Sequence, residues 1–266
     1  MANGRRAWGW AAAGLAVCLT AGCGARREAV TLAGSTAFQA FAEKLAEQYM
    51  AQHPGTSITV QGGGSTVGIQ SALQGTAQIG MADLVTLPPE AKPLTAVVVA
   101  RDGIAVVVNP ANGVTNLTMD QVRAIFNGQI KRWSEVGGPD QPVTVVSREA
   151  GSGTRSSFEQ IVGNVKLTSS ALIQDATGTV RETVAGDPNA VGYLSHGMVN
   201  GKVKALTIDG QPCTPEVVLA GRYKLVRPVF FLTSGPAQGL AQQFIAFVLS
   251  DAGQGQIQKD GLLPAK

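Results

Sequence analysis

Short β-branched runs alternate along this chain with longer segments whose apolar residues recur every three or four positions. Val30-Thr31-Leu32 is the first such run, and Phe38, Phe41, Leu45 and Tyr49 follow it at helical spacing. The pattern predicts a strand and then a long amphipathic helix that starts near Thr36 and is stopped by His53-Pro54-Gly55. Ile58-Thr59-Val60 predicts a second strand, and Gly62-Gly63-Gly64-Ser65-Thr66 turns into a second helix carrying Ile69, Ala72 and Leu73. A third strand, Ala77 to Met81, ends at Asp83. Strand–helix units joined by short connections predict a parallel, doubly wound sheet.

The alternation then breaks. Ala96 to Ala100 and Ile104 to Val108 are apolar runs split by Arg101-Asp102-Gly103, and Asn109-Pro110 closes the second. The second run is expected to be a strand that carries the chain into another lobe. There Met119 to Phe126 predicts a helix, Trp133 to Pro139 a loop, Val143 to Val146 a strand, and Phe158, Ile161 and Val162 a helix. A short helix over 178–185 and a strand at Ala190 to Leu194 follow. Leu225 to Leu232 is expected to bring the chain back, with Pro228 marking a strand edge or start. A last helix carries Leu240, Phe244, Phe247 and Val248. The expected class is therefore α/β, with two doubly wound lobes joined by a two-strand hinge. Residues 29–102 plus 228–266 form lobe one and residues 103–227 form lobe two. The cleft between them faces the carboxyl ends of both sheets, where open α/β sheets bind ligands.

The N-terminus reads as a processing segment. Arg5 and Arg6 precede an apolar stretch from Ala7 to Val17 that is too short to span a membrane. Leu19-Thr20-Ala21-Gly22-Cys23 resembles the lipobox of bacterial lipoproteins, which implies a signal peptide over 1–22, acylation at Cys23 and a tether over 23–28. Loss of residues 1–22 would lower the formal charge from +3 to about +1. A near-neutral protein has no electrostatic footing for nucleic acid. Removal of Cys18 and lipidation of Cys23 would leave Cys213 alone, with no disulfide and no metal-ligand spacing.

The candidate chemistry sits where strands pass into helices. Ser147 to Arg155 reads as strand end, glycine-rich turn and helix start, a junction that aims backbone N–H groups and a helix dipole at one spot. Ser152 and Thr154 add hydroxyls, and Arg148 adds a guanidinium fork suited to an oxyanion. Thr36 and Ser65 occupy equivalent junctions upstream. If these turns converge, charge-assisted hydrogen bonds of about 1.5–3 kcal/mol each hold a small anion without a metal or cofactor. Asp83, at the third strand end, suits an anion that still carries a proton, because a carboxylate accepts that hydrogen but meets only lone pairs on sulfate.

Taken together, Gly34-Ser35-Thr36, Gly64-Ser65-Thr66, Met81-Ala82-Asp83, the Arg148 to Arg155 stretch, Ala190-Val191-Gly192-Tyr193 and Arg227-Pro228-Val229-Phe230 resemble the phosphate-binding proteins of bacterial ABC phosphate importers, of the periplasmic-binding-protein type II fold. The resemblance covers essentially all of the chain after the processing segment. It implies an inorganic phosphate shell of Thr36, the Ala37 backbone N–H, Ser65, Asp83, Arg148, Ser152, Gly153 and Thr154. It also implies ABC permease subunits as partners, and an extracytoplasmic, lipid-anchored protein, expected to be a monomer. Ala37 replaces a larger residue of some members, and Ala150 stands where some carry an aspartate that orients the binding arginine. Glu149 is the neighbour that could take that role.

Rival chemistries fit less well. The histidines, His53 and His196, lie in a helix-ending turn and a loop segment, and no G-x-S-x-G elbow is present. Gly62-x-Gly64 is followed by Gly68, one residue too far for a dinucleotide fingerprint, and there is no phosphate loop of the G-x-x-x-x-G-K-[ST] type. An enzyme is therefore not expected. Another tetrahedral oxyanion (sulfate, molybdate or tungstate), a metal-independent phosphate-handling enzyme and a sensor lipoprotein on the same fold stay open as alternatives.

Overall fold

The structure is a computed structural model that describes residues 1–2 and 28–265. The expected signal peptide and Cys23 lie outside the described residues. The described chain opens, in order, with β1 (Glu28–Gly34), α1 (Gln39–Gln52), β2 (Thr56–Gln61), α2 (Ser65–Gln74) and β3 (Ile79–Ala82). β4 (Thr95–Val108), β5 (Asn116–Leu117), α3 (Met119–Phe126), β6 (Thr144–Arg148), α4 (Gly153–Val162), β7 (Leu172–Gln174), α5 (Thr177–Gly186) and β8 (Ala190–Ser195) follow. The chain closes with β9 (Lys204–Ala205), β10 (Thr207–Ile208), α6 (Pro215–Leu219), β11 (Val226–Thr233), α7 (Gly239–Leu249), α8 (Asp251–Lys259) and β12 (Leu263–Pro264).

One twisted sheet runs through the molecule in the order β2-β1-β3-β11-β4-β8-β6-β7. The outer strands pair in parallel, β1 with β2 and β3 at one end and β6 with β7 and β8 at the other. The two middle strands are antiparallel to each other and belong to both halves. β4 pairs β11 over Thr95–Gly103 and β8 over Ile104–Val108. The two apolar runs expected as separate segments are thus one fourteen-residue strand. Arg101-Asp102-Gly103 does not interrupt it, because Asp102 finds a charged partner directly across the ladder in Arg227. Pro228 lies within β11, at a position paired to β4 only; the β3 pairing begins at Phe230. The missing N–H therefore costs no bond on the β3 side, and a register shift between Val229 and Phe230 takes up the irregularity.

Alternation along the strands sorts the cores. In β11, Phe231 joins Phe38, Phe41, Leu45 and Phe244 of α1 and α7 on one face, while Leu232 joins Ile69 and Ala72 of α2 on the other. A separate cluster built from residues 104–225 fills the second lobe. Its centre is aromatic: Phe158 of α4 stacks on Tyr193 of β8 with centroids 4.2 Å apart, and Phe126 meets Phe158 edge-on at 4.7 Å. Burial pushes the Tyr193 hydroxyl up to about 12, and its partner is Ser147 Oγ at 2.7 Å. Trp133, expected in a loop, is fully buried in a 3-10 turn (Trp133–Val136) and donates Nε1–H to Asn189 O at 3.0 Å. Cys213 is buried and its thiol is pushed up to about 12 by desolvation.

Phe158 fastens α4, which carries the glycine-rich turn, onto β8. Phe158→Ala is expected to lower unfolding free energy by about 3–5 kcal/mol, read from denaturant midpoints at unchanged slope. A loss below about 1 kcal/mol would show that the aromatic stack does not hold α4 in place.

Candidate functional site

The strand-to-helix junctions come together because β1 and β3 run with β4 and β6 runs against it, so that their carboxyl ends meet where β4 passes from β11 to β8. At the end of β3, Asp83 is 2% exposed. Ser65, at the first position of α2, donates Oγ–H to Asp83 Oδ1 at 2.6 Å and accepts from the Asp83 N–H at 3.0 Å. From the other lobe Thr154, in the first turn of α4, donates Oγ1–H to Asp83 Oδ2 at 3.0 Å. Ser157 Oγ, on the next turn of that helix, donates to Asp83 O at 3.0 Å and accepts from the Val85 N–H at 3.1 Å. Thr66 N also donates across the cleft to Gly151 O at 3.2 Å. Ser65, Asp83, Gly153 and Thr154 are therefore one buried contact between lobes.

Two glycines permit the approach. Gly64 precedes α2 with φ +89°, and a Cβ there would stand 2.8 Å from Gly151 O. At Gly153 a Cβ would collide with Ser65 Oγ and lie 2.5 Å from Asp83 Oδ1. Gly153 and Thr154 open α4, so their N–H groups have no acceptor inside the helix. Ser152 caps it, its Oγ accepting from the Arg155 N–H at 3.2 Å.

Arg148 is the last residue of β6 and is 1% exposed. Its Nε and Nη2 donate to Glu149 Oε2 and Oε1, each at 2.8 Å, and its Nη1 donates to Thr177 Oγ1 at 3.0 Å. Arg155 Nη1 donates to Arg148 O at 2.9 Å. Glu149 thus grips the guanidinium along one edge despite being its chain neighbour, with Ala150 exposed beside it. Thr36 meets this group through Thr177: its Oγ1 accepts from the Thr177 N–H at 3.4 Å and lies 3.5 Å from Thr177 Oγ1. Thr36 and Ala37 occupy a turn ahead of α1, which starts at Gln39 and not near Thr36. The helix is delayed because Ser35 Oγ, and not Thr36, accepts from the Phe38 N–H at 3.2 Å.

Thr36 and Arg148 therefore share Thr177 and are not bonded to one another, while Ser65 and Thr154 share Asp83. The turn from Arg148 to Thr154 spans the two sets. A cleft of about 160 Å³ opens alongside, lined by Ser65, Thr66 and Leu84 on one lobe and by Gly151, Ser152 and Gly153 on the other. Four contributors escaped the sequence reading. Arg227 Nη2 lies 2.9 Å from Asp83 Oδ2 and 2.8 Å from Asp102 Oδ2, and Ser195 Oγ donates to Asp102 Oδ1 at 2.9 Å. Burial pushes the Asp102 carboxyl above the ordinary carboxylate range, while Arg227 and Ser195 pull it back. Thr177 is the fourth. A charged pair inside two otherwise apolar strands was the visible signal for Asp102 and Arg227. Among the described residues, no group of three or more His, Cys, Asp or Glu side chains could hold a metal ion.

Gly153→Ala is expected to hold the turn away from Ser65 and Asp83 and so to open the lobes. Small-angle scattering would show a larger radius of gyration than wild type, at unchanged far-ultraviolet circular dichroism. An identical radius would mean that the Gly153 contact does not limit closure.

Comparison with known proteins bears on the family and the fold. A family profile described as "PBP superfamily domain" matches residues 20–252. The phosphate-binding protein PstS of Bacillus subtilis is 36% identical over 240 residues, covering 88% of this chain and 80% of that protein. A phosphate ABC transporter substrate-binding protein of Clostridium perfringens, solved with bound phosphate, superposes with a TM-score of 0.86 at 38% identity, over 90% of this chain and all of that one. An ABC-type phosphate transport receptor of Vibrio cholerae gives 0.74 at 37% identity, over 88% and 99%. With a fold of two crossed lobes, a profile over most of its length and relatives above one-third identity, the chain belongs to the phosphate-binding substrate-binding proteins of the PBP superfamily.

Proposed function

We propose that the interlobe cleft binds inorganic phosphate and that the closed form delivers it to the permease subunits of an ABC importer. The observation that carries this reading is the coordination of Asp83. A carboxylate offers about four lone-pair sites. Ser65 takes one on Oδ1 and Thr154 one on Oδ2, beside which Arg227 Nη2 lies as an ion pair at 2.9 Å. One acceptor site on Oδ1 remains, and the guest that satisfies it must bring a hydrogen. Phosphate carries one near neutral pH; sulfate does not.

The remaining shell supplies donors. The N–H groups of Ala37, Gly153 and Thr154, the hydroxyls of Thr36 and Ser152, and the Arg148 guanidinium would surround the anion's oxygens, while the Ser65 and Thr154 hydroxyls, already given to Asp83, would have to turn from it to join them. Glu149 holds that guanidinium flat, the role that the exposed Ala150 cannot fill. The hinge would lie where β4 and β11 cross, close to the 102/103 and 227/228 divisions, with residues 29–102 and 228–266 moving against 103–227. Bridging hydrogen bonds then favour the closed form by their differential contact. Among the described residues no helix is long and apolar enough to cross a membrane. Acylation of Cys23 after cleavage at residue 22 would tether a monomer outside the cytoplasm.

Isothermal titration of the mature protein is expected to show phosphate binding and no sulfate binding at neutral pH. Asp83→Asn is expected to weaken phosphate by about 10–100-fold, since a charge-assisted bond is lost. The same change should admit sulfate, because an amide can turn a donor toward it. Wild type that takes both anions alike would refute the reading. Trp133 is buried away from the cleft, so calorimetry is the better readout than its emission.

Lipidation has its own check. Cells fed an alkyne fatty acid are expected to label the protein, and Cys23→Ser to abolish the label. Equal labelling of the variant would remove the anchor from the proposal.

A further inference from the structure

Asp83 is held from in front by Ser65 and Thr154 and from behind by Arg227. Sheet register places Arg227 directly opposite Asp102 on the crossing strands, so the backbone fixes the pair. Asp83 and Asp102 are each 2% exposed, Arg227 1% and Ser195 0%. Three charges so far from water are costly unless each finds its partner. Arg227 Nε and Nη1 are also buried and, among the described residues, have no hydrogen-bond partner. A side chain kept there for packing alone would be better replaced by an apolar one of similar volume. The guanidinium stays because of where Nη2 points, between two carboxylates.

We propose that Arg227, fixed by Asp102 and Ser195, is a positioning residue whose charge keeps the Asp83 carboxylate free of a proton and so sets the selection between anions that carry hydrogen and anions that do not. The inference rests on the cleft being a phosphate site. A like charge enclosed beside a carboxylate favours the protonated form of one of the two. A protonated Asp83 is a donor and serves sulfate as well as phosphate. The guanidinium 2.9 Å behind it opposes that uptake. The other charges near the group are Asp102 itself, with His196 of the 3-10 turn after β8, Cys213 and Tyr223 in its field, and Glu216 near His196. On the anion side stands Arg148, neutralised along one edge by Glu149.

The test is sulfate and phosphate calorimetry across pH on the mature protein. Sulfate stays fully ionised over this range, so any pH dependence in its binding belongs to the protein. Wild type is expected to take sulfate only at acid pH. In Arg227→Gln that limb should move to higher pH by about 1–3 units, and Arg227→Lys should bring it back toward wild type. In an Asp83→Asn background, Arg227→Gln should change the sulfate-to-phosphate ratio no further. A limb that stays at its wild-type position, or an equal loss for both anions, overturns the assignment. Should Arg227→Gln not fold, carboxyl-carbon NMR of aspartate-labelled wild type decides, with Asp83→Asn identifying the resonance. An ionised Asp83 signal with and without phosphate supports the assignment, and a protonated one in either state overturns it. If wild type fails to prefer phosphate over sulfate at neutral pH, the phosphate reading fails instead, and the Asp83 resonance still reports on Arg227.

Discussion

A buried carboxylate shared between two lobes is the constraint around which this molecule is arranged. Taking Asp83 out of water costs several kcal/mol unless its lone pairs and charge are answered. Every answer comes from a different part of the chain: Ser65 from α2, Thr154 from α4 in the opposite lobe, Arg227 from the return strand. Satisfying Asp83 therefore requires lobe closure and crossing strands in register at the same time. The same requirement explains the small residues nearby, because Gly64 and Gly153 stand where any side chain would separate the turns.

The second polar set is a milder version of the same logic. Arg148 is buried as deeply as Asp83, and Glu149 and Thr177 accept three hydrogen bonds from it, two to Glu149 and one to Thr177. A bidentate carboxylate makes the guanidinium rigid, which matters more for recognition than for stability. That the partner is the adjacent residue follows from the backbone leaving the β6 ladder at this point: Glu149 N bonds Gln174 O, and its side chain folds back toward the strand end.

Much of this was readable in the residues. The spacing of Phe41, Leu45 and Tyr49 and the segment from Met119 to Phe126 point to helices that the structure contains, and the turns at Gly64-Ser65 and Gly151 to Thr154 do meet. What could not be read is pairing at a distance. Arg101-Asp102-Gly103 looks like a break because local pattern rates a charged pair as solvent-exposed, whereas Asp102 is buried against a residue 125 positions later. Pro228 looks like an edge because its one-sided pairing depends on where β3 ends. Thr177 carries no motif at all, and only the meeting of β1 with β6 through the closed cleft gives it two partners.

The connectivity also dictates an order of assembly. Lobe two is continuous in the chain, its core drawn from residues 104–225, whereas the core of lobe one needs Phe38 and Leu45 from one end and Phe231 and Phe244 from the other. Closing that long loop is entropically slow, so the inner lobe can condense while the outer one waits for its last helices. A polypeptide emerging N-terminus first thus cannot complete the core of lobe one until Phe231 and Phe244 have been made, whereas lobe two has all of its core residues earlier.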